Sequence, residues 1–209
     1  MSVLNKIAFM LDRRDEVPNQ ELARQLAESK DREGVQEIAA NLWNKDQNIQ
    51  SDCLKVLYET GFLDPDLIAE YYTDFLKLLR SRSNRMVWGS MIALTTIADI
   101  RPVEIDAQRT LILKTMENGS VITMDNGIKI LAILAAQLPE QNAEIFACLL
   151  KHLETCRPKE VPQHAEKTLV AVNAANKAGF IQVLEQRMPD LVGGQVTRVK
   201  KVIKAARSR

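Results

Sequence analysis

The chain has 209 residues, 46% of them hydrophobic and 26% charged, and a formal net charge of +1. That is the composition of a folded protein, not of a disordered or fibrous one. The near-zero charge excludes a global pull toward nucleic acid or an anionic membrane.

Apolar residues recur at helical spacing almost throughout, aromatics are only 5%, and β-branched runs are short. The pattern predicts about twelve helices and no strand. The first three fall near 3–11, 19–29 and 33–43. A helix over 47–61 follows, with Ile49, Cys53, Val56 and Leu57 inward and Gly61 as its end. Asp64 and Pro65 start the next, which runs to about Arg80, because aspartate caps and proline suits a first turn. Ser83-Asn84 caps a helix over 84–99, and Arg101-Pro102 starts one that ends at Asn118-Gly119. Ser120 opens 121–137, Pro139 starts 139–156, and Pro162 starts 162–176. Gly179 precedes a short helix ending near Pro189, and Gly193-Gly194 forms a hinge before a basic C-terminal helix.

Superimposed on these elements is a repeat of 37 residues. Leu57, Leu94 and Leu131 keep that spacing, as do Pro65, Pro102 and Pro139; Phe75, Ile112 and Leu149; and Leu79, Met116 and Leu153. The next unit is two residues longer, with Val170-Ala171-Val172 aligned on Leu131-Ala132-Ile133. A fixed period built from helical segments predicts an all-α fold, an α-solenoid wound as a right-handed superhelix of helical pairs. One solenoid domain over 1–209 is expected: atypical helices over 1–45, repeats over 46–190, and a basic capping helix over 191–209.

The repeat unit resembles HEAT-like and, more loosely, armadillo-like repeats. The segments that carry the resemblance are Asn84 to Leu94 and Gln163 to Val172, each a polar cap followed by an amphipathic helix with small residues in its middle. It covers roughly residues 28–188, although the usual arginine after a valine is replaced, Trp88 following Val87 and Asp125 following Met124. The resemblance implies a binding scaffold whose concave face is lined by the helices over 47–61, 84–99, 121–137 and 162–176.

On that face Arg85 and Trp88 form the pair expected of a binding hot spot, with Asn48 and Ser51 at the equivalent positions one repeat earlier and Ile122 and Asp125 one repeat later. The expected contacts with an unidentified protein partner are Arg85, Trp88, Asp125, Lys129 and Lys167. The alternative partner is nucleic acid, through a basic patch of Arg198, Lys200, Lys201 and Lys204. Residues 191–209 carry six basic side chains, the others being Arg207 and Arg209, and no acidic one. Against that reading, Val196, Val199, Val202 and Ile203 form an apolar stripe that would dock the helix on the last repeat as a cap.

No catalytic motif, phosphate loop or cofactor signature is present, so neither an enzyme nor a cofactor is expected. An enzyme on this scaffold would be similar to the HEAT-like DNA glycosylases, whose basic concave face is not matched by residues 1–190 here, which sum to a net charge of −5. Cys148, His152 and Cys156 share one helical stripe, but the two cysteines lie about 12 Å apart along the axis, too far for one zinc. His152 and Cys156 make half a site, and His164 is the one further imidazole. The expectation is no metal, with Cys148 in the core beside a partly exposed His152. Three cysteines without framework spacing point to a reducing compartment, hence the cytoplasm. The longest apolar run, Ile130 to Ala136, is far short of the ~20 residues that span a bilayer. The five apolar residues after Lys6 are too few for a secretory signal.

Overall fold

A computed structural model describes residues 2–209. They form twelve α-helices joined by short 3-10 turns, with no strand among the described residues. The helices are α1 Val17–Ser29, α2 Arg32–Ala40, α3 Gln47–Leu63, α4 Tyr72–Leu78, α5 Asn84–Ile97 and α6 Pro102–Asp106. They continue as α7 Arg109–Glu117, α8 Val121–Gln137, α9 Asn142–Thr155, α10 Val161–Thr168, α11 Lys177–Arg187 and α12 Gly194–Arg207. The chain divides into two compact units, one ending at Asn126 and one running from Gly127 to Arg209, so the division falls within α8.

The 37-residue repeat is a repeat of core positions. Leu57, Leu94 and Leu131, then Phe75, Ile112 and Leu149, then Leu79, Met116 and Leu153 are all buried, none more than 6% exposed. Within the first unit α3 packs between α1 and α5, with α2 against α3 and α4 against α5. In the second, α9 packs on α11, and α12 lies against both α10 and α11. Phe146 of α9 meets Phe180 of α11 edge to face, ring centroids 6.0 Å apart.

Several expected boundaries move, each for a physical reason. Residues 3–11 form two 3-10 turns, Leu4–Lys6 and Phe9–Leu11, in place of a helix. Gly61 does not end α3; it lies inside the helix, where an added Cβ would stand 2.3 Å from Thr96 Oγ1 and 2.6 Å from Ile68 Cδ1. Close packing on a neighbouring helix, not chain reversal, is what requires glycine there. Ile49, expected inward, is only half-buried.

The single helices expected after Pro65 and Pro102 are each broken. Pro65–Leu67 and Ala69–Tyr71 are 3-10 turns that lead into α4, and α6 is separated from α7 at Ala107-Gln108. The units that start at Pro65 and Pro102 are therefore three-part, a short first element followed by two helices, where a helical pair was expected. Asp64 caps nothing; its carboxylate takes the Lys30 ammonium. Ser83 likewise makes no side-chain cap, whereas Ser120 Oγ accepts the Thr123 N–H at 3.3 Å.

Helix α9 starts at Asn142, three residues after Pro139, which lies in a turn. Helix α10 stops at Thr168, passes through the 3-10 turn Leu169–Ala171 and leaves at an extended Val172. Asn173 is the reason: its Oδ1 accepts the Ala175 N–H at 2.9 Å and the Asn176 N–H at 3.2 Å. Asparagine competes in this way with the helical hydrogen-bond ladder.

Candidate functional site

The first unit gathers its chemistry along α3 and the helices on either side of it. Asn48, Asp52, Lys55 and Glu59 succeed one another at steps of three or four, so they share one stripe of α3. Tyr58 and Phe62 flank that stripe. Arg85 and Trp88 occupy the first turns of α5. The segment before α1 lies over the start of these helices: the Phe9 N–H donates to Asp52 Oδ2 at 2.7 Å, and Asp15 Oδ1 accepts the Val17 N–H at 3.0 Å. Between them is a cleft of about 340 Å³ lined by Phe9, Asp12, Glu16, Asn48, Asp52 and Arg85, among others.

Lys55 is the hub. Its side chain is 8% exposed, and its ammonium meets Glu16 at 2.8 Å and Glu59 at 2.7 Å while lying 4.9 Å from the centroid of the Tyr58 ring. Burial works against the charge, but the two carboxylates outweigh it and hold the ammonium well above its ordinary pKa. Because the folded-state pKa is raised, this stabilisation is fully present below the unfolded lysine's pKa, about 10.4, and fades only as pH rises through the folded value. Glu16 also faces Arg85 Nη2 at 3.7 Å, so one carboxylate ties α1 to both neighbours. Lys55→Met keeps the packing and strands Glu59. It is expected to cost about 1–2 kcal/mol, less than a fully buried pair because Glu16 is 46% exposed. Urea unfolding at neutral pH measures it.

Beside this charge cluster stands an aromatic one. Tyr58 is buried, Phe62 is 55% exposed and Trp88 is half-buried. Tyr58 lies 6.3 Å from Phe62 and 6.4 Å from Trp88, centroid to centroid. Cys53, on the opposite side of α3, is wholly buried, and burial pushes its thiol up to about 12. It is expected to resist alkylation in the native protein at pH 8 more strongly than the partly buried Cys148; mass spectrometry of the labelled chain reads this.

Of the residues expected from the sequence, Arg85 lines the cleft, and so do Asn48 and Ser51, the equivalents of Arg85 and Trp88 one repeat earlier. Trp88 stands one turn further along α5. Asp125 and Lys129 lie on α8 and Lys167 on α10; Lys129 is exposed and the other two are partly buried. Sequence reasoning missed Glu16, Lys55, Tyr58, Glu59 and Phe62. The i, i+4 spacing of Lys55 and Glu59 was the one available signal.

The apolar stripe of α12 is buried against the second unit, with Val199 and Ala206 at 0% exposure. Arg198 is spent on Glu166 at 2.6 Å and Arg207 on Glu185 at 3.0 Å, while Lys200, Lys201 and Lys204 are exposed. Cys148 is not in the core: it is partly buried, and its thiol points to the Glu144 carbonyl of its own helix. His152, Cys156 and His164, by contrast, are brought together.

This arrangement of repeated helical units defines an all-α solenoid of the armadillo and HEAT type. No family model matches the chain, and no curated protein does. Solved structures with a similar fold include engineered proteins. One engineered protein superposes with a TM-score of 0.65 at 19% identity, over 100% of this chain and 98% of its own. A designed armadillo repeat protein in complex with the peptide (KR)4 gives 0.66 at 16% identity, over 99% of each chain. Computationally designed armadillo repeat proteins for modular peptide recognition give 0.63 at 16%, over 91% of this chain and 94% of theirs. Among the described residues no helix is long and apolar enough to cross a membrane.

Proposed function

We propose that this chain is a non-enzymatic protein-interaction module that holds an extended, basic segment of a partner along the α1–α3–α5 face of its first unit. The observation that carries this reading is the convergence of Trp88, Tyr58 and Phe62 with the carboxylates of Glu16 and Glu59 beside a cleft edged by Arg85. Residues 1–126 carry a net charge of −5 and residues 127–209 one of +6, so the acidic half of the chain is the half with the aromatic cluster. Lysine or arginine side chains of a partner would stack on the Trp88 and Phe62 rings, Tyr58 being covered by Lys55, and meet the exposed side of Glu16 at their rim. Arg85 would hold backbone carbonyls of the same segment. The fold's designed relatives support the class: one set was made for modular peptide recognition, and one member holds a peptide of alternating Lys and Arg.

Calorimetric titration with an alternating Lys-Arg octapeptide tests it. Binding is expected to weaken with salt, and Trp88→Ala is expected to cost about 2 kcal/mol, roughly 30-fold in affinity. Equal affinity for an acidic octapeptide, or no effect of Trp88→Ala, would end this reading.

A second reading rests on Lys200, Lys201 and Lys204, which remain exposed after the rest of α12 is docked. There the partner is nucleic acid. Removal of α12 would uncover the stripe it buries, so the discriminating variant changes the three lysines to Gln and asks whether a steeply salt-dependent affinity for nucleic acid is lost.

A further inference from the structure

We propose that His152, Cys156 and His164 hold a divalent zinc-class metal ion that joins the end of α9 to α10. The chain has only two histidines, twelve residues apart, and they meet: His152 Nε2 lies 2.8 Å from His164 Nδ1. The ligand atoms of the two imidazoles and the Cys156 thiol all lie within 4.8 Å of one another. Tetrahedral zinc with Zn–N near 2.0–2.1 Å and Zn–S near 2.3 Å sets its ligand atoms about 3.3–3.6 Å apart. An opening of roughly 0.5 Å between the rings and a swing of the thiol toward them by up to about 1.2 Å, both within the reach of side-chain rotations, make room for the ion.

The backbone already fixes this geometry. His152 and Cys156 stand at i and i+4, and the Cys156 N–H donates to the His152 carbonyl at 2.8 Å. The chain then turns through Pro158–Glu160 and enters α10, which carries a fully buried His164 back to the same spot. Arg187 locks the arrangement from outside: its Nη1 donates to the Leu153 carbonyl at 2.6 Å and its Nη2 to the Cys156 carbonyl at 2.8 Å. Ligands held by such outer contacts are what a preorganised site requires.

Two imidazoles and a thiolate suit zinc or another late first-row ion and not magnesium or calcium, which take oxygen. On binding, Cys156 releases its proton to solvent. The imidazole that donates across the His152–His164 contact moves its proton to its other ring nitrogen. Three protein ligands leave the fourth position to water or to a donor from a bound partner. A ligand spacing of H-x3-C-x7-H, with the third ligand on the next helix, makes the ion a clasp on the α9–α10 turn.

Cobalt titration of the full-length, untagged, metal-stripped protein tests this, followed by competition with zinc. One equivalent of cobalt is expected to bind with a cobalt–thiolate charge-transfer band and tetrahedral d–d bands, and zinc is expected to abolish both. Cys156→Ser is expected to lose the thiolate band. His152→Ala, at a partly buried position and checked for an unchanged thermal midpoint, is expected to weaken zinc by more than the 10–100-fold of an outer-shell change. Cys148→Ser is expected to leave the spectrum unchanged. Absence of the thiolate band, or zinc affinity unchanged in both Cys156→Ser and His152→Ala, would overturn the proposal and leave a plain hydrogen-bonded histidine pair.

Discussion

Asn142→Leu is expected to lower the unfolding free energy by about 3–4 kcal/mol, a heavy loss for one surface-sized amide. Asn142 opens α9 and is 7% exposed. Its Nδ2 donates to the Ala135 carbonyl at 2.7 Å and to the Ala171 carbonyl at 3.2 Å. Its Oδ1 accepts from Asn173 Nδ2 at 3.1 Å and Asn176 Nδ2 at 3.0 Å. One side chain thus joins the end of α8, the turn after α10 and the asparagine loop before α11. Leucine has the volume but none of the bonds, so it leaves a buried carbonyl at Ala135 without its donor and the Asn173 amide without its acceptor, while Asn176 keeps the Ala171 carbonyl. Asn142→Asp is expected to do no better, because it turns a carboxylate toward two carbonyls. Denaturant unfolding with an unchanged m-value would show a lower midpoint for both. A loss below ~1 kcal/mol would mean that the network is relaxed or water-filled.

Arg187→Met is expected to cost about 2–3 kcal/mol, for a related reason. Arg187 is 9% exposed, and besides the Leu153 and Cys156 carbonyls it meets Asp190 at 2.7 Å. The last carbonyls of a helix have no partner within it, and here a single guanidinium from α11 serves those of α9. Methionine fills the space and satisfies neither. Arg187→Lys is expected to recover only part of the loss, since one ammonium cannot reproduce the planar fork that reaches both carbonyls and Asp190. Thermal unfolding of the three proteins side by side gives the order. Equality of Lys and Arg would show that only the charge matters.

What the sequence made legible was what the repeat itself encodes. The 37-residue spacing located the buried leucines, the unit-start prolines and, by offset from Arg85 and Trp88, the cleft residues Asn48 and Ser51. Signals that do not repeat were lost. Gly61 reads as a helix stop because a glycine's need for space is set by Thr96 on another helix, which no local pattern shows. Helix α10 reads longer in the sequence than in the structure because its helical periodicity continues past the point where Asn173 captures the backbone. Glu16 meets Lys55 across 39 residues from a segment outside the period, so the charged hub was invisible. The sequence offered His152 and Cys156 as half a site with His164 as the further imidazole, but linear spacing along α9 says nothing of where α10 returns His164, so their meeting was not legible.

On the proposed function, the Trp88–Arg85 edge of the first unit is where a protein partner is held. The most direct measurement is quantitative affinity capture from native lysate with and without nuclease, comparing the wild-type chain with a Trp88→Ala/Arg85→Ala double variant of unchanged thermal midpoint. The prediction is a stoichiometric protein partner that survives nuclease and is lost in the variant. Partners retained by the variant, or recovered only when nucleic acid is intact, would contradict it.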